Sequence, residues 1–232
     1  MSPNRIEEVL LIGGKAMDES EEMKTTANTL PPSEDSETSI ASPEGALSFL
    51  FAIFALLMWY ISVDHRYNLS TLLSIGLTWL MLSTGALIAS LVNIIRGSSR
   101  GNTNLLVTIL LGFFPGINTV VTILSVVSGF HYRPTIVGYM YIIGAIFVFG
   151  AAVPRLKEPA YIFFRTIAVA LGLFFVGLGD VCSNNVVLAI GGWFLFAFAL
   201  LSFYHGLSVL YAQFDQPLPQ GRSILQMWRG KR

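Results

Sequence analysis

A single uncharged apolar stretch near the carboxyl end of the chain constrains the fold more than any other feature. Residues 186–211 contain no Asp, Glu, Lys or Arg, and the next charged residue along the chain is Asp215. As a helix, this stretch would span roughly 39 Å at about 1.5 Å per residue, enough to cross a bilayer with tilt. A core helix of a soluble protein has a polar face and does not need this length. The stretch therefore predicts a membrane-spanning helix.

The composition of the whole chain leads to the same class of protein. Of its 232 residues, 53% are hydrophobic and 12% are charged, whereas soluble domains have about 25% charged residues. Lys+Arg and Asp+Glu balance at 14 each, so the net charge does not indicate a nucleic-acid partner. The single cysteine, Cys182, excludes an intrachain disulfide. We predict an integral membrane protein that does not bind nucleic acid.

The amino-terminal part of the chain differs from the rest. Residues 1–45 are rich in Ser, Thr, Glu and Pro, and they contain ten of the 14 acidic residues. A segment this polar cannot bury enough apolar surface to fold, so it is predicted to be a disordered tail. We expect a cytoplasmic tail over residues 1–45, a transmembrane domain over residues 46–214 and a short cytoplasmic tail over residues 215–232.

Six apolar spans follow the tail, and each reaches the roughly 17 residues that a membrane helix needs. Strands of a membrane barrel would be about half as long. The sequence thus predicts an all-α membrane protein, a six-transmembrane-helix bundle, in which short connections make successive helices antiparallel neighbours. The spans cover residues 47–63, 71–95, 105–127, 135–153, 160–182 and 186–211.

The basic residues of the short loops predict the orientation of the bundle. Because cytoplasmic loops carry the excess of Lys and Arg, the richer side is predicted to be cytoplasmic. Six crossings place both termini on that side, and we expect the plasma membrane to hold the protein. The richer side contains Arg96, Arg100, Arg155, Lys157 and Arg222, and the poorer side contains Arg66 and Arg133.

Three ionisable residues within or near the ends of the spans are candidates for function, because charge in a membrane is costly to retain. Arg165 and Asp180 lie near opposite ends of the fifth span, and an interface anchor is the favoured interpretation for both. His205 lies deeper in the last span. A buried, hydrogen-bonded histidine and a proton-handling histidine are both consistent with its position.

The sequence contains no metal-ligand spacing, nucleophile turn or phosphate-binding glycine loop, so neither an enzyme nor a cofactor is predicted. Gly112, Pro115 and Gly116 interrupt the third span, either as a pore-facing break or as a packing kink. The polar residues inside the spans are mostly hydroxyls and amides, which suit a small anion or a neutral solute better than a metal cation. Examples are Ser83, Ser90, Asn118, Thr119, Thr122 and Ser202.

The last span carries a spaced motif. Gly192 precedes Trp193, Tyr204 follows that tryptophan after eleven residues, and residues 218–221 read Leu-Pro-Gln-Gly. This pattern resembles the last helix and the Leu-Pro-x-Gly exit of the acetate uptake transporters, also called succinate–acetate permeases or the YaaH-like family.

Weaker matches to the same family occur earlier in the chain. Residues 85–87 resemble its Gly-Gly-Leu motif, and residues 101–103 match its Gly-Asn-Thr loop. Residues 42–48 align with its first-helix signature, Asn-Pro-Ala-Pro-Leu-Gly-Leu, although only Pro43 is retained. Ala89 stands in place of a glutamine, and residues 111–115 align with Tyr-Gly-x-Phe-Trp but begin with a leucine.

The resemblance implies a hexamer in which each six-helix protomer has its own pore. It also implies a hydrophobic constriction that passes acetate or related short carboxylates, coupled to protons or channel-like. The pore phenylalanine of the family falls on Phe51, so that Phe51 and Leu111 would line the constriction. The predicted substrate pathway consists of Phe51, Asn102, Leu111, Phe114, Ser202, Tyr204 and His205. His205 has no counterpart in the family pattern and is included for its position near the predicted inner mouth.

Two other functions fit the same sequence. Loss of the signature asparagine and of the constriction tyrosine favours a pathway for ammonia or another neutral small solute. A membrane scaffold that transports nothing and presents its acidic tail to cytosolic partners is the second alternative.

Overall fold

The structure is a computed structural model, and it describes residues 43–64, 68–98, 100–133 and 135–229. Six helices in these ranges are long and apolar enough to cross a membrane. This confirms the predicted six-helix, all-α membrane fold. The tail that was predicted to be disordered covers residues 1–45, and residues 1–42 of it lie outside the described residues. The helices are α1 Glu44–Val63, α2 Leu69–Ile95, α3 Gly101–Ser128, α4 Thr135–Ala152, α5 Ala160–Cys182, α6 Asn185–Ala212 and the short α7 Ile224–Arg229.

Two of the membrane helices begin directly after an asparagine whose side chain caps the helix. The side chain of Asn68 accepts a hydrogen bond from the backbone N–H of Thr71 at the start of α2. Asn184 does the same for Val186 and Val187 at the start of α6. These bonds satisfy amide groups that have no partner within the helix. Asparagine at a boundary thus fixes where the second and the last membrane helices start.

The first helix starts earlier than the sequence predicted. It begins at Glu44, inside the predicted 1–45 tail, directly after Pro43. A carboxylate in the first turn of a helix interacts favourably with the positive end of the helix dipole. The first membrane helix therefore carries an acidic residue at one end of the bundle, whereas the sequence prediction had placed Glu44 in the tail.

The long helices pack in a ring. The most extensive contacts join α1 to α6, α4 to α5 and α5 to α6, and α2 packs against both α1 and α3. The expected packing of successive helices against each other holds for α1 with α2, α2 with α3, α4 with α5 and α5 with α6. It does not hold for α3 and α4, which make few contacts. The pairing of the first helix with the last closes the ring, and the sequence did not predict it.

An apolar groove separates α3 from α4 and marks the weakest seam of the ring. This lateral groove has a volume of about 480 Å³. Its lining is almost entirely hydrophobic, as suits a surface in contact with lipid. The lining residues are Asn102, Leu105, Leu106, Ile109, Leu110, Phe114, Met140, Ile143, Gly144 and Phe147.

The predicted interruption of the third span is a π-helical segment, Ile109–Phe113, within a continuous helix. Pro115 follows it and has no N–H to donate to the preceding turn, which favours a local change in hydrogen bonding. A Cβ on Gly112 would lie 2.4 Å from Ser83 Oγ, and one on Gly116 would lie 3.2 Å from Cβ of Trp79. Both glycines therefore allow α3 to pack closely on α2, as the packing-kink interpretation predicted.

Helices α4 and α5 cross at two glycines. A Cβ on Gly177 would lie 2.5 Å from the carbonyl oxygen of Gly138, and a Cβ on Gly138 would lie 2.8 Å from that of Gly177. Backbone atoms cannot move aside as a flexible side chain can. In a membrane, where helices associate through close packing, this contact holds the two helices together.

Candidate functional site

The interior of the bundle contains a cavity at each end. The chain enters α1 and leaves α6 at one end, called here the terminal end, and the opposite end is called the far end. At the far end lies a cavity of about 240 Å³, the far cavity. Its lining mixes apolar side chains with hydroxyl, amide and carboxyl groups. It is formed by Met58, Ile61, Ser62, Trp79, Pro115, Asn118, Thr119, Thr122, Ser125, Tyr132, Tyr141, Val176, Asp180 and Leu188.

A smaller cavity of about 20 Å³ lies toward the terminal end and is called the terminal cavity. Its lining combines apolar side chains with two arginines and other polar groups. It is formed by Phe51, Thr103, Asn104, Val107, Val148, Arg155, Arg165, Thr166, Val169 and Phe198.

Between the two cavities the interior is closed by apolar side chains. On α1, Phe51 lines the terminal cavity and Met58 lines the far cavity, and the same seven-residue step separates Val169 from Val176 on α5. A step of this length corresponds to about 10 Å along a helix. Five residues on five helices fill the interval, each 0% exposed, and they are named the apolar layer: Ala55, Leu111, Ala145, Leu173 and Leu195.

Most hydroxyls of the far cavity already donate hydrogen bonds to the protein. Thr119 Oγ1 donates to the carbonyl oxygen of Pro115 at 2.7 Å, and Tyr132 Oη donates to Asn118 Oδ1 at 2.7 Å. Burial and the nearby Asp180 raise the pKa of Tyr132, so the phenol keeps its proton at neutral pH. Trp79, which also lines this cavity, has a buried indole N–H with no hydrogen-bond partner in the described chain.

The terminal end is crossed by an ion-pair network, named here the terminal cluster: Glu44, Arg100, Glu158, Tyr161 and His205. Arg100 Nη1 donates a hydrogen bond to Glu44 Oε1, and its Nη2 lies 2.9 Å from Glu158 Oε2. The ring of His205 lies between Tyr161 Oη at 2.9 Å from Nδ1 and Glu44 Oε1 at 3.3 Å from Nε2. The network joins α1, the α2–α3 loop, the start of α5 and the end of α6.

Burial lowers the pKa of Arg100, but the carboxylates of Glu44 and Glu158 outweigh this effect and raise its pKa above the ordinary value. Arg100 therefore stays charged, and it bridges two carboxylates whose combined charge it offsets in part. The terminal cluster is thus a group of mostly charged side chains that lies beside the terminal cavity.

The structure separates the sequence-predicted pathway residues into three groups. Phe51, Leu111 and Ser202 are buried in the bundle; Phe51 lines the terminal cavity and Leu111 belongs to the apolar layer. Asn102 and Phe114 line the lateral groove instead, so these two are not brought together with the others.

The remaining two predicted residues lie at the terminal end. Tyr204 Oη donates a hydrogen bond to the carbonyl oxygen of Pro219, within the segment that matches the exit motif. His205 is buried and has two hydrogen-bond partners, as the first of its two interpretations predicted. Tyr204 therefore fixes the segment after α6, and its ring also packs edge-on against that of Tyr161.

Sequence reasoning assigned no central role to Arg165, Arg100 or Glu44. Arg165 was expected to anchor at the membrane interface, but its side chain is buried inside the protein and lines the terminal cavity. The signal that could have identified it is a basic residue about one and a half turns into a helix with no acidic residue near it in sequence. Its neighbours come from other helices, which a single span does not indicate.

The described residues bring no three His, Cys, Asp or Glu side chains together as a metal site requires. The chain matches no protein-family model, and no curated protein matches it. Its structure is similar to a solved structure of the bacterial acetate channel SatP, with a TM-score of 0.64 and 16% sequence identity. The similarity covers 79% of this chain and 100% of the SatP chain. It shows that the two proteins share a fold, and it supports at that level the resemblance found in the sequence.

Proposed function

We propose that this protein is a membrane channel or transporter for acetate and related short-chain carboxylates. The observation that supports this most is the apolar layer, which separates two cavities inside a bundle with the fold of an acetate channel. An apolar constriction excludes ions that retain their water. A short carboxylate can lose part of its hydration more readily where hydroxyl, indole and guanidinium donors lie on both sides.

The pathway we propose runs from the far cavity through the apolar layer to the terminal cavity. Leu111 then lies in the constriction and Phe51 lies next to it, close to the roles that the resemblance implied. Ser202, Tyr204 and His205 lie on α6 toward the terminal end, whereas Asn102 and Phe114, in the lateral groove, lie outside the proposed path. A channel fold also fits the prediction that the protein is not an enzyme.

Uptake of labelled acetate by liposomes containing the purified protein tests the function. We expect uptake above that of empty vesicles, and a comparison with and without a pH gradient tests proton coupling. Succinate, lactate and ammonium complete the panel. Uptake of ammonium without acetate would favour the neutral-solute pathway, and no uptake of any solute would favour the scaffold.

A matched pair of variants tests the path. Leu111→Ala opens the apolar layer and should raise acetate flux per folded molecule several-fold, at a cost of about 2–5 kcal/mol in stability. Leu110→Ala removes the same atoms from a buried neighbour that lines the lateral groove, and it should leave the flux nearly unchanged. Equal effects of the two substitutions would contradict the proposed path.

We propose further that the terminal end faces the cytoplasm, that the protein resides in the plasma membrane and that protomers assemble as a hexamer. The orientation follows from the distribution of basic residues, and the oligomer from the sequence resemblance. Protease accessibility of the tails in intact cells and native mass spectrometry in detergent test these two points.

A further inference from the structure

The guanidinium of Arg165 is buried without a full set of partners. Its side chain is 7% exposed, and its Nη1 makes no hydrogen bond within the described residues. The ring of Phe198, whose centroid lies 5.9 Å from Cζ, makes a cation–π contact that favours its charge. A buried charged donor without an acceptor is costly and is retained where something binds to it. The position of Arg165 in the terminal cavity defines where that acceptor would lie.

The surroundings of Arg165 favour an anion as this acceptor. Arg155, also 7% exposed, lines the same cavity and adds a second positive charge. The carboxylates of Glu44 and Glu158 both pair with Arg100, Glu44 Oε1 also lies 3.3 Å from His205 Nε2, and neither cavity arginine takes part in these pairs. Among the described residues around this cavity, Arg100, Arg155 and Arg165 outnumber the carboxylates of Glu44 and Glu158 by one.

The rest of the lining fits the two halves of a short carboxylate. The lining holds Asn104 and Thr166 in addition to the two arginines, together with the apolar side chains of Phe51, Val107 and Val169. It can thus offer guanidinium groups to the oxygens of a carboxylate and apolar side chains to its alkyl group. The volume of about 20 Å³ holds roughly one water-sized group, so an entering carboxylate must displace neighbouring side chains.

We propose that the terminal cavity is a binding site for a small monocarboxylate, in which Arg165 Nη1 is the principal donor and Arg155 supplies additional positive charge. The inference deepens the proposed function, on which it rests, by naming the group that selects anions over neutral molecules of the same shape. Arg165 then acts as a specificity-determining residue, and the apolar layer beside it acts as the barrier.

Ligand-induced thermal stabilisation tests the site without requiring transport. The probes are sodium acetate and its neutral isostere acetamide, at equal concentrations and constant ionic strength, with the full chain in detergent. We expect acetate to raise the melting temperature of the wild-type protein and acetamide to have no such effect. For Arg165→Gln the acetate concentration that gives half of the shift should rise by about tenfold or more, because a charge-assisted hydrogen bond is lost.

Two further variants serve as controls. Arg96→Gln removes an exposed arginine at the same end and should leave the acetate response unchanged. Arg165→Lys retains the charge and should preserve part of the response. The proposal is overturned if acetate and acetamide stabilise the wild-type protein equally, or if Arg165→Gln responds to acetate as the wild type does. If Arg165→Gln does not fold, two measurements still test the proposal: the thermal shifts of the wild-type protein with acetate and with acetamide, and the thermal shift of Arg165→Lys with acetate.

Flux measurements on the same proteins separate this inference from the proposed function. Acetate stabilisation that depends on Arg165, without acetate uptake by liposomes, would support the site and contradict the transport function. Acetate uptake that Arg165→Gln leaves unchanged, together with an unchanged thermal response, would support transport and overturn the site.

Discussion

The far and terminal ends of the bundle are held together by different forces. Near the far cavity the helices meet through backbone contact, as at Gly138 and Gly177. At the terminal end they meet through the charges of the terminal cluster. The far cavity is accordingly wide and mostly neutral, and the terminal cavity is narrow and cationic. The comparison shows that a single apolar bundle can hold a wide, polar cavity at one end and a narrow cavity lined by arginines at the other.

The largest effect is expected where backbone packing is disturbed. Gly177→Val would force side-chain atoms into the carbonyl oxygen of Gly138, and neither helix can yield without moving apart. We expect a loss of about 3 kcal/mol or more, seen as a loss of folded protein by gel filtration in detergent. Gly150→Val is the control, because a Cβ there meets no atom within 4 Å. Comparable yields of the two variants would show that the far end does not depend on this contact.

A smaller effect is expected at the terminal end. Arg100→Gln removes one partner from each of Glu44 and Glu158, whose side chains are about a quarter exposed, so we expect a cost of about 1–3 kcal/mol. The melting temperature measures it, with Arg96→Gln as the exposed control. Because salt screens charges and not steric contact, high salt should reduce this difference and leave that of Gly177→Val unchanged. The same salt response for both variants would remove the distinction between the two ends.

The histidine of the terminal cluster should contribute less. His205→Ala removes one hydrogen-bond partner each from Tyr161 and Glu44 and should cost about 1–2 kcal/mol. A double-mutant cycle with Tyr161→Phe should give a coupling energy of about 1 kcal/mol. If the double variant shows simple additivity, and if the pH profile of flux changes instead, the proton-handling interpretation of His205 would be favoured over the structural one.

The smallest effect is expected in the far cavity. Asp180→Asn removes the carboxyl group, with any negative charge that it carries, from a cavity on the proposed acetate path, where the screened repulsion of an anion is worth about 1 kcal/mol or less. We therefore expect acetate flux to rise by about twofold to fivefold at low acetate concentration. Asp64→Asn is the control, since Asp64 lies at the same end and does not line the cavity. A decrease in flux for Asp180→Asn alone would show that the carboxyl group assists entry.

The membrane helices could be predicted because the signal is local. Hydropathy over a window of about 19 residues is a property of one segment, and α5 begins and ends at its predicted residues, Ala160 and Cys182. The asparagine caps at the starts of α2 and α6 are local as well. The fold class therefore follows from the sequence alone.

The partners of each helix could not be predicted in the same way. Contact between α1 and α6 joins residues more than a hundred positions apart, and hydropathy does not distinguish a face that meets a helix from one that meets lipid. Arg165 illustrates the limit. Its distance from the helix end predicted an interface anchor, whereas Phe198 and Arg155, from other elements, place it at an interior cavity.

The π-helical segment of α3 has a consequence for insertions and deletions. Such a segment holds one residue more than the α-helical turn that it replaces. Deleting one residue from Ile109–Phe113 would restore a regular helix and leave the residues after it on nearly the same face, because the wide turn had absorbed the extra residue. The same deletion in the regular helix just after this segment would rotate everything beyond it by about 100°. Asn118, Thr119 and Thr122 would then leave the far cavity together, although none of them had been substituted. The polar surface of that cavity thus tolerates a shorter chain at the π-helical segment and not in the turn that follows it.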